Sequence, residues 1–316
     1  MKLGLSECLL GTACRYDGAG SRDRFITDVL SDYFEFVSYC PERLIFPTPR
    51  EAIRQVEING KIEIETSNTK RRVTQEVQEI SDRLAEDVMH HHICGYILKS
   101  KSPTCGLERV KVYQPKNAPS EKKGVGLFAK ALLQRYPYLP IEEEGRLLDP
   151  WLRENFLMQV FAYEDLRNFL AGEPQMRELV AFHTAYKYLI YAKSTQSYKT
   201  LGNIVANKEK KPLDQVLHAY RLGFLHAISL KGNVAKTYNV LLHIYGYFKK
   251  LITPEERQFV LETIEEYRDK VVPLIAVTKI INLYIRRFDI AYLKKQKFLN
   301  PYPEKLALRS ELEAYK

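Results

Sequence analysis

"ICGYILKSKSPTCG", residues 93–106, decides how the first half of this 316-residue chain is read. Its apolar run has the length and composition of a strand buried on both faces, and Ser-Pro with a following glycine ends it in a turn that carries Cys105. The same plan recurs outward from it. "KLGLSEC" (2–8) and "FEFVSYC" (34–40) are strand-like runs that close on Cys8 and Cys40. Helical spacing separates the strands in "RDRFITDVLSDY" (22–33), "VTQEVQEISDRLAEDVMHH" (73–91) and "VGLFAKALLQRYP" (125–137), and "YLPIEEE" (138–144) is a last short strand. Strands alternating with such helices predict a three-layer α/β domain with a mostly parallel sheet. Within "IRQVEINGKIEIET" (53–66), Asn-Gly between alternating apolar residues predicts a hairpin.

Ligands of open α/β sheets bind outside the carboxyl ends of the strands. Cys8, Cys40 and Cys105 each stand at or just past such an end, so three cysteines distant in sequence are expected to meet on one rim.

Strand signals stop at "DPWLRENFLMQVF", and 154–170, 175–193, 196–206, 213–230, 233–251, 254–270 and 272–297 all read as helices. Thr253 before "PEER" is an N-cap with acids in the first turn. The expected organisation is therefore an α/β domain over 1–147 followed by an all-α domain over 148–316. Charge divides the same way. Residues 1–145 carry 21 basic and 21 acidic side chains, whereas 146–316 carry 27 and 18, together with 14 of the 21 tyrosines. The whole net charge of +9 thus lies in the second half, and it suits a polyanion there.

No stretch approaches the ~18 uninterrupted apolar residues of a membrane span. The N-terminus lacks a cleavable signal pattern, so a cytoplasmic protein without membrane attachment is expected. Five cysteines in so long a chain do not make a disulfide framework. No close C-x-x-C pair favours structural zinc, while widely spaced cysteines are compatible with an iron–sulfur cluster or with separate buried thiols. A cubane held by three cysteines would leave one iron open as a Lewis acid. No glycine-rich phosphate loop is present, so nucleoside triphosphate use is not expected.

"SECLLGTACRYDG", "YCPE", "PTPREA" and "KSKSPTCG" resemble, in order and spacing, the 2-thiouracil desulfurase (desulfidase) family over about the first 145 residues. The resemblance implies a 4Fe-4S cluster bound by Cys8, Cys40 and Cys105, with catalytic roles for Glu42 of "CPE" and Ser102 of "SPTC". Thr104 departs from the serine more usual there. On this reading the open iron takes the substrate sulfur, Glu42 activates water, and Ser102 donates to a ring nitrogen or orients the water, with no net redox change. Cys14 reads as a structural thiol or a spare ligand, and Cys94 as core filler. Arg50 contacts a phosphate or forms a local salt bridge. His90, His91 and His92 form a solvated helix end, since adjacent helical residues point in different directions.

"FHTAYKYLIYAKSTQSYKTLGNIVA", "NVLLHIYGYFKKLITPEER" and "LKKQKFLNPYP" resemble the helical domain often fused to that module, as in the tRNA 4-thiouridine desulfidase family. This implies a non-redox desulfidase that converts 4-thiouridine in tRNA to uridine, with tRNA held by the helices. The candidate RNA-binding residues are Lys187, Lys193, Tyr198, Lys199, Lys236, Lys249, Lys250, Arg286 and Arg287. Alternatives are action on free 2-thiouracil or other thiolated bases, and a non-catalytic iron–sulfur redox sensor that binds nucleic acid.

Overall fold

In the computed structural model, residues 1–114 and 119–306 are described. They pack as two compact units, Met1–Glu164 with Lys305 and Leu306, and Asp165–Glu304.

The first unit is built on β1 (Lys2–Ser6), β2 (Glu35–Tyr39), β3 (Ile53–Ile58), β4 (Lys61–Thr66), β5 (Tyr96–Leu98), β6 (Val110–Tyr113), β7 (Glu121–Gly124) and β8 (Ile141–Glu143). One sheet has the order β2-β1-β5-β8, and all its pairings are parallel, as the alternating strand and helix signals require. The β3–β4 hairpin turns on Asn59 and Gly60, both with positive φ, as a two-residue primed turn demands. That hairpin belongs to a second sheet, β4-β3-β6-β7, in which β3 and β6 are parallel and β6 and β7 antiparallel. Strands β6 and β7 have no counterpart in the sequence reading. β7 is "EKKG", exposed over its first three residues, so it carries no alternation to detect.

Helices α1 (Arg24–Asp28), α2 (Pro41–Ile45), α3 (Thr74–Asp87) and α4 (Leu127–Arg135) cover the strands. The Asp23 side chain caps α1 by accepting from the Ile26 N–H at 3.0 Å. The core joins Tyr96, Leu98 and Ile93 to Leu84, Ala85 and Val88 of the α3 region and Phe128, Ala129 and Leu132 of α4. Tyr96 is fully buried, its ring 5.6 Å from that of Phe128 and its hydroxyl donating to the Leu5 carbonyl at 3.1 Å. A side chain on Gly4 would collide with that ring, so only glycine lets β1 and β5 pair here. Cys94 is core filler as expected, fully buried with its thiol donating to the Lys2 carbonyl at 3.1 Å.

Helix α5 (Pro150–Ala171) begins in the first unit, where Val160 lies against Gly95 and the Phe161 ring meets that of Phe34 at 5.7 Å. The continuous helix thus starts at Pro150, and the packing division falls inside α5, between Glu164 and Asp165.

The second unit contains α6 (Met176–Lys193), α7 (Thr195–Ala206), α8 (Leu213–Ser229), α9 (Val234–Tyr245), α10 (Pro254–Arg268), α11 (Leu274–Arg287) and α12 (Ala291–Lys294). Thr253 and Glu256 form a capping box on α10. The segment read as one helix over 272–297 is two, because the chain passes through Asp289 at φ 49°. An aromatic core of Phe182, Tyr186, Tyr220 and Phe224 ties α6 to α8. Among the described residues, no helix is long and apolar enough to cross a membrane.

Candidate functional site

β1, β2 and β5 are parallel neighbours, so their carboxyl ends open on one rim. Cys8 follows β1, Cys40 follows β2 directly, and Cys105 ends the turn beyond β5. All five cysteines are free thiols. The Sγ atoms of Cys14 and Cys40 and a carboxylate oxygen of Glu7 lie within 4.8 Å of one another, the one such donor group among the described residues. The Cys14 thiol also meets that of Cys8. Cys105 lies beside the Ser6 and Thr104 hydroxyls, with Oγ1 of Thr104 at 3.7 Å from its sulfur, and it feels the charge of Cys40. Cys14, read as a structural thiol or spare ligand, is thus part of the same group. Its signal in the sequence is only its six-residue spacing from Cys8.

Burial explains how these thiols are held. Cys14 stands between Cys40, which lowers its pKa, and Cys8 and burial, which raise it, and the result is about 11. The contact with Cys14, and then burial, push Cys40 far above the ordinary thiol range. Burial lifts Cys105 to about 12. Neutral thiols crowded together release their protons when a soft cation takes their place, so the donor set suits a thiolate-bound metal or cluster.

Beside the thiols stands a buried carboxylate network. Pro41 starts α2 directly after Cys40 and sets Glu42 in its first turn. Arg50 Nη2 donates to Glu42 Oε2 at 2.8 Å, and the two side chains are only 4% and 15% exposed. Thr104 Oγ1 donates to Glu42 Oε1 at 2.8 Å, and Ser102 Oγ reaches the same oxygen at 3.4 Å. Ser102 Oγ in turn accepts from the N–H groups of Thr104 (3.2 Å) and Cys105 (3.1 Å), a serine turn that shapes the cysteine loop. Gly126 makes room for that loop, since any side chain on it would strike the Thr104 carbonyl.

Arg50 settles into its local alternative. Besides Glu42 it donates through Nη1 to the Cys14 carbonyl (3.1 Å) and to Thr48 Oγ1 (3.2 Å), and its N–H bonds the Tyr16 carbonyl at 2.8 Å. One guanidinium therefore links the Glu42 helix to the Cys14 loop. The structure adds Thr104 and Arg50 to the expected pair Glu42 and Ser102. Arg15 pairs with Asp17 in the exposed turn, with its Nη2 at 3.1 Å from Asp17 Oδ2. His91 pairs with Asp87 at 3.3 Å, and among the described residues no donor group includes the histidine run.

The candidate RNA-binding residues all lie in the second unit. Lys199, Lys249, Lys250 and Arg286 are exposed. Arg287 is bound to Glu256 at 2.7 Å, and Lys236 donates to the Lys193 carbonyl at 3.0 Å. Burial lowers the Lys193 pKa to about 7. Lys187 and Tyr198 stand in an aromatic group on α6 and α7.

An α/β sheet that brings two thiols and a carboxylate together at one rim offers a donor set for a metal, and sequence comparison says what the unit is similar to. Residues 3–144 match the model of the 2-thiouracil desulfurase family, and residues 187–303 match a family described as a protein of unknown function, DUF1722. The chain thus carries a 2-thiouracil desulfurase-like region over 3–144, followed by a helical region similar to DUF1722 over 187–303. The uncharacterized protein YbgA of Escherichia coli (strain K12) is 29% identical over 157 residues, which cover 49% of this chain and 93% of that protein. A solved structure, the [4Fe-4S]-dependent thiouracil desulfidase TudS, is 28% identical, covers 47% of this chain and 93% of its own, and superposes with a TM-score of 0.38.

Proposed function

We propose that the chain removes sulfur from 4-thiouridine in tRNA, leaving uridine, with a 4Fe-4S cluster held by Cys8, Cys40 and Cys105. The observation that carries this reading is the Glu42–Ser102–Thr104 network, which begins two residues after Cys40 and reaches Cys105 through the Thr104 hydroxyl at 3.7 Å from its sulfur. Bound there, the cluster supplies a Lewis-acidic iron for the thione sulfur.

The protein's own groups manage water and protons. The overall step adds water across the thiocarbonyl carbon: a C–O bond forms, the C–S bond breaks, and sulfur leaves as hydrogen sulfide, so no electrons are exchanged. Glu42 is placed to take a proton from the attacking water through an oxygen that already receives Thr104 and Ser102. Arg50 fixes the other oxygen and so fixes the direction of the first. Ser102, whose lone pairs are engaged by two backbone N–H groups, has its single proton shared between Thr104 and Glu42 and turns it toward a ring nitrogen when substrate binds. The hydroxyl chain Ser102–Thr104–Glu42, with 2.9 Å between the two hydroxyls, is a path for returning that proton. The basic helical unit holds the tRNA through its phosphates.

The test is anaerobic turnover by the full chain of tRNA bearing 4-thiouridine, with nucleosides measured by mass spectrometry and sulfide by colorimetry. Uridine and sulfide appearing in equal amounts without added reductant is the expected result. Turnover of free 2-thiouracil alone would assign the chain to the free base. A requirement for stoichiometric reductant would refute the hydrolytic step.

A further inference from the structure

The second unit carries an aromatic face apart from its Phe182–Tyr220–Phe224 core. The rings of Tyr247 and Tyr292 lie parallel, 12° apart in plane and 5.3 Å between centroids. Tyr188 meets Tyr292 edge-on at 6.5 Å and gives its hydroxyl proton to the Tyr247 oxygen at 3.3 Å. The Lys187 ammonium stands 5.1 Å from the Tyr292 centroid and 5.3 Å from that of Tyr188. About one turn further along α6, Tyr191 packs on Tyr198 at 5.0 Å and on the exposed His243 at 5.6 Å.

Two features set this face apart from ordinary core packing. Tyr247 is 44% exposed, and Tyr191, Tyr198 and Tyr292 are only half-buried, so ring faces remain open to solvent. Its charge is also uncompensated. Lys187 pairs with no carboxylate among the described residues; burial disfavours its charge, but Tyr292, Tyr247 and Tyr198 together more than offset that and hold its pKa above the ordinary lysine value. Lysines follow the tyrosines in the chain: Lys199 after Tyr198, Lys249 and Lys250 after Tyr247, Lys294 and Lys295 after Tyr292, all exposed. Among these only Lys294 is tied to an acid, Asp289.

Open π faces stack on bases of any sequence, and unpaired lysines take phosphates; a double helix hides the bases and could use only the lysines. We propose that this face, centred on Lys187, Tyr247 and Tyr292, binds unpaired nucleotides of RNA by stacking. The inference rests on the tRNA reading and specifies where and how the RNA is held.

The experiment is fluorescence anisotropy of the full-length protein with a labelled single-stranded oligouridylate, a duplex RNA of equal length, and tRNA, across a salt series. Single strand binds more tightly than duplex, and Tyr247→Ala weakens it about tenfold without changing the salt slope. Tyr247→Phe, which keeps the π face, restores most of the loss. Lys249→Gln flattens the log–log salt slope by about one unit. Circular dichroism checks that the exposed Tyr247 variants stay folded. Duplex bound as well as single strand, or tRNA bound equally by wild type and Tyr247→Ala, overturns the stacking face and leaves the tRNA reading standing. No binding of any RNA removes both. Displacement by polyglutamate as effective as by RNA would make the face a dock for acidic polypeptides and overturn the proposal.

Discussion

Replacing Arg50 tests the scaffold of the site, because its guanidinium joins the Glu42 helix to the Cys14 loop. Arg50→Met keeps much of the side-chain volume and leaves the Glu42 carboxylate, 15% exposed, without its cation. Stranding one partner of a buried pair costs about 3–5 kcal/mol. Glu42 keeps its bonds from Thr104 and Ser102 and some contact with solvent, which places the loss near the lower end, about 3 kcal/mol. That is a shift of roughly a hundredfold in the unfolding equilibrium of the first unit. Trp151 is the only tryptophan and lies in this unit, so its fluorescence during anaerobic urea unfolding reports the unit separately. The partner variant Glu42→Gln removes the stranded charge, and the double variant Arg50→Met/Glu42→Gln is expected to recover most of the loss. Arg50→Met as stable as wild type, or a double variant that merely sums two separate losses, would refute the argument that this pair anchors the rim.

Gly126→Ala drives a methyl group into the Thr104 carbonyl and should cost about 1–3 kcal/mol, read in the same unfolding assay, with slower desulfidation because the Ser102–Cys105 loop must shift. Cys94→Ala should lower the unfolding midpoint while leaving bound iron per chain unchanged, whereas Cys40→Ser should lose most of the iron; equal losses would contradict the separation of core from rim cysteines. His183 titrates at about 4 because burial disfavours its charge, against 6.5 in an unfolded chain. The unfolded state therefore binds the extra proton first, so this contribution is complete above pH 6.5 and fades as pH falls toward 4, by up to about 3 kcal/mol. Thermal melts of the wild type and His183→Gln at pH 7 and pH 4.5 should differ less in acid; a constant difference would refute it.

Long-range order along the first half is legible because each core strand is an apolar run ending in a turn, and those ends fix which residues share the rim. That rule puts Cys8, Cys40 and Cys105 at strand ends, and the resemblance alone implies their ligand roles and that of Glu42. The closest donor group among the described residues joins Cys40 instead to Cys14 and Glu7, which no strand-end rule selects. Strands β6 and β7 escape it because sheet pairing, rather than apolar pattern, makes "EKKG" a strand. Thr104 and Arg50 are present in the quoted motifs, yet their roles depend on a contact across 62 residues of sequence and one across eight, which spacing does not encode. Helix ends in the second unit differ where backbone conformation overrides periodicity, as at Asp289. Lysine counts locate the charge, but only the fold shows that Lys187 sits among open tyrosine rings while Lys236 is spent on a backbone carbonyl.

Iron and acid-labile sulfide per chain, measured after anaerobic reconstitution of the wild type and of Cys8→Ser, Cys40→Ser and Cys105→Ser, tests the account most directly. Near-equal iron and sulfide at cubane stoichiometry in the wild type, lost in each variant, is the result it predicts. A wild type that takes up only zinc, or three variants that retain the full complement, would contradict it.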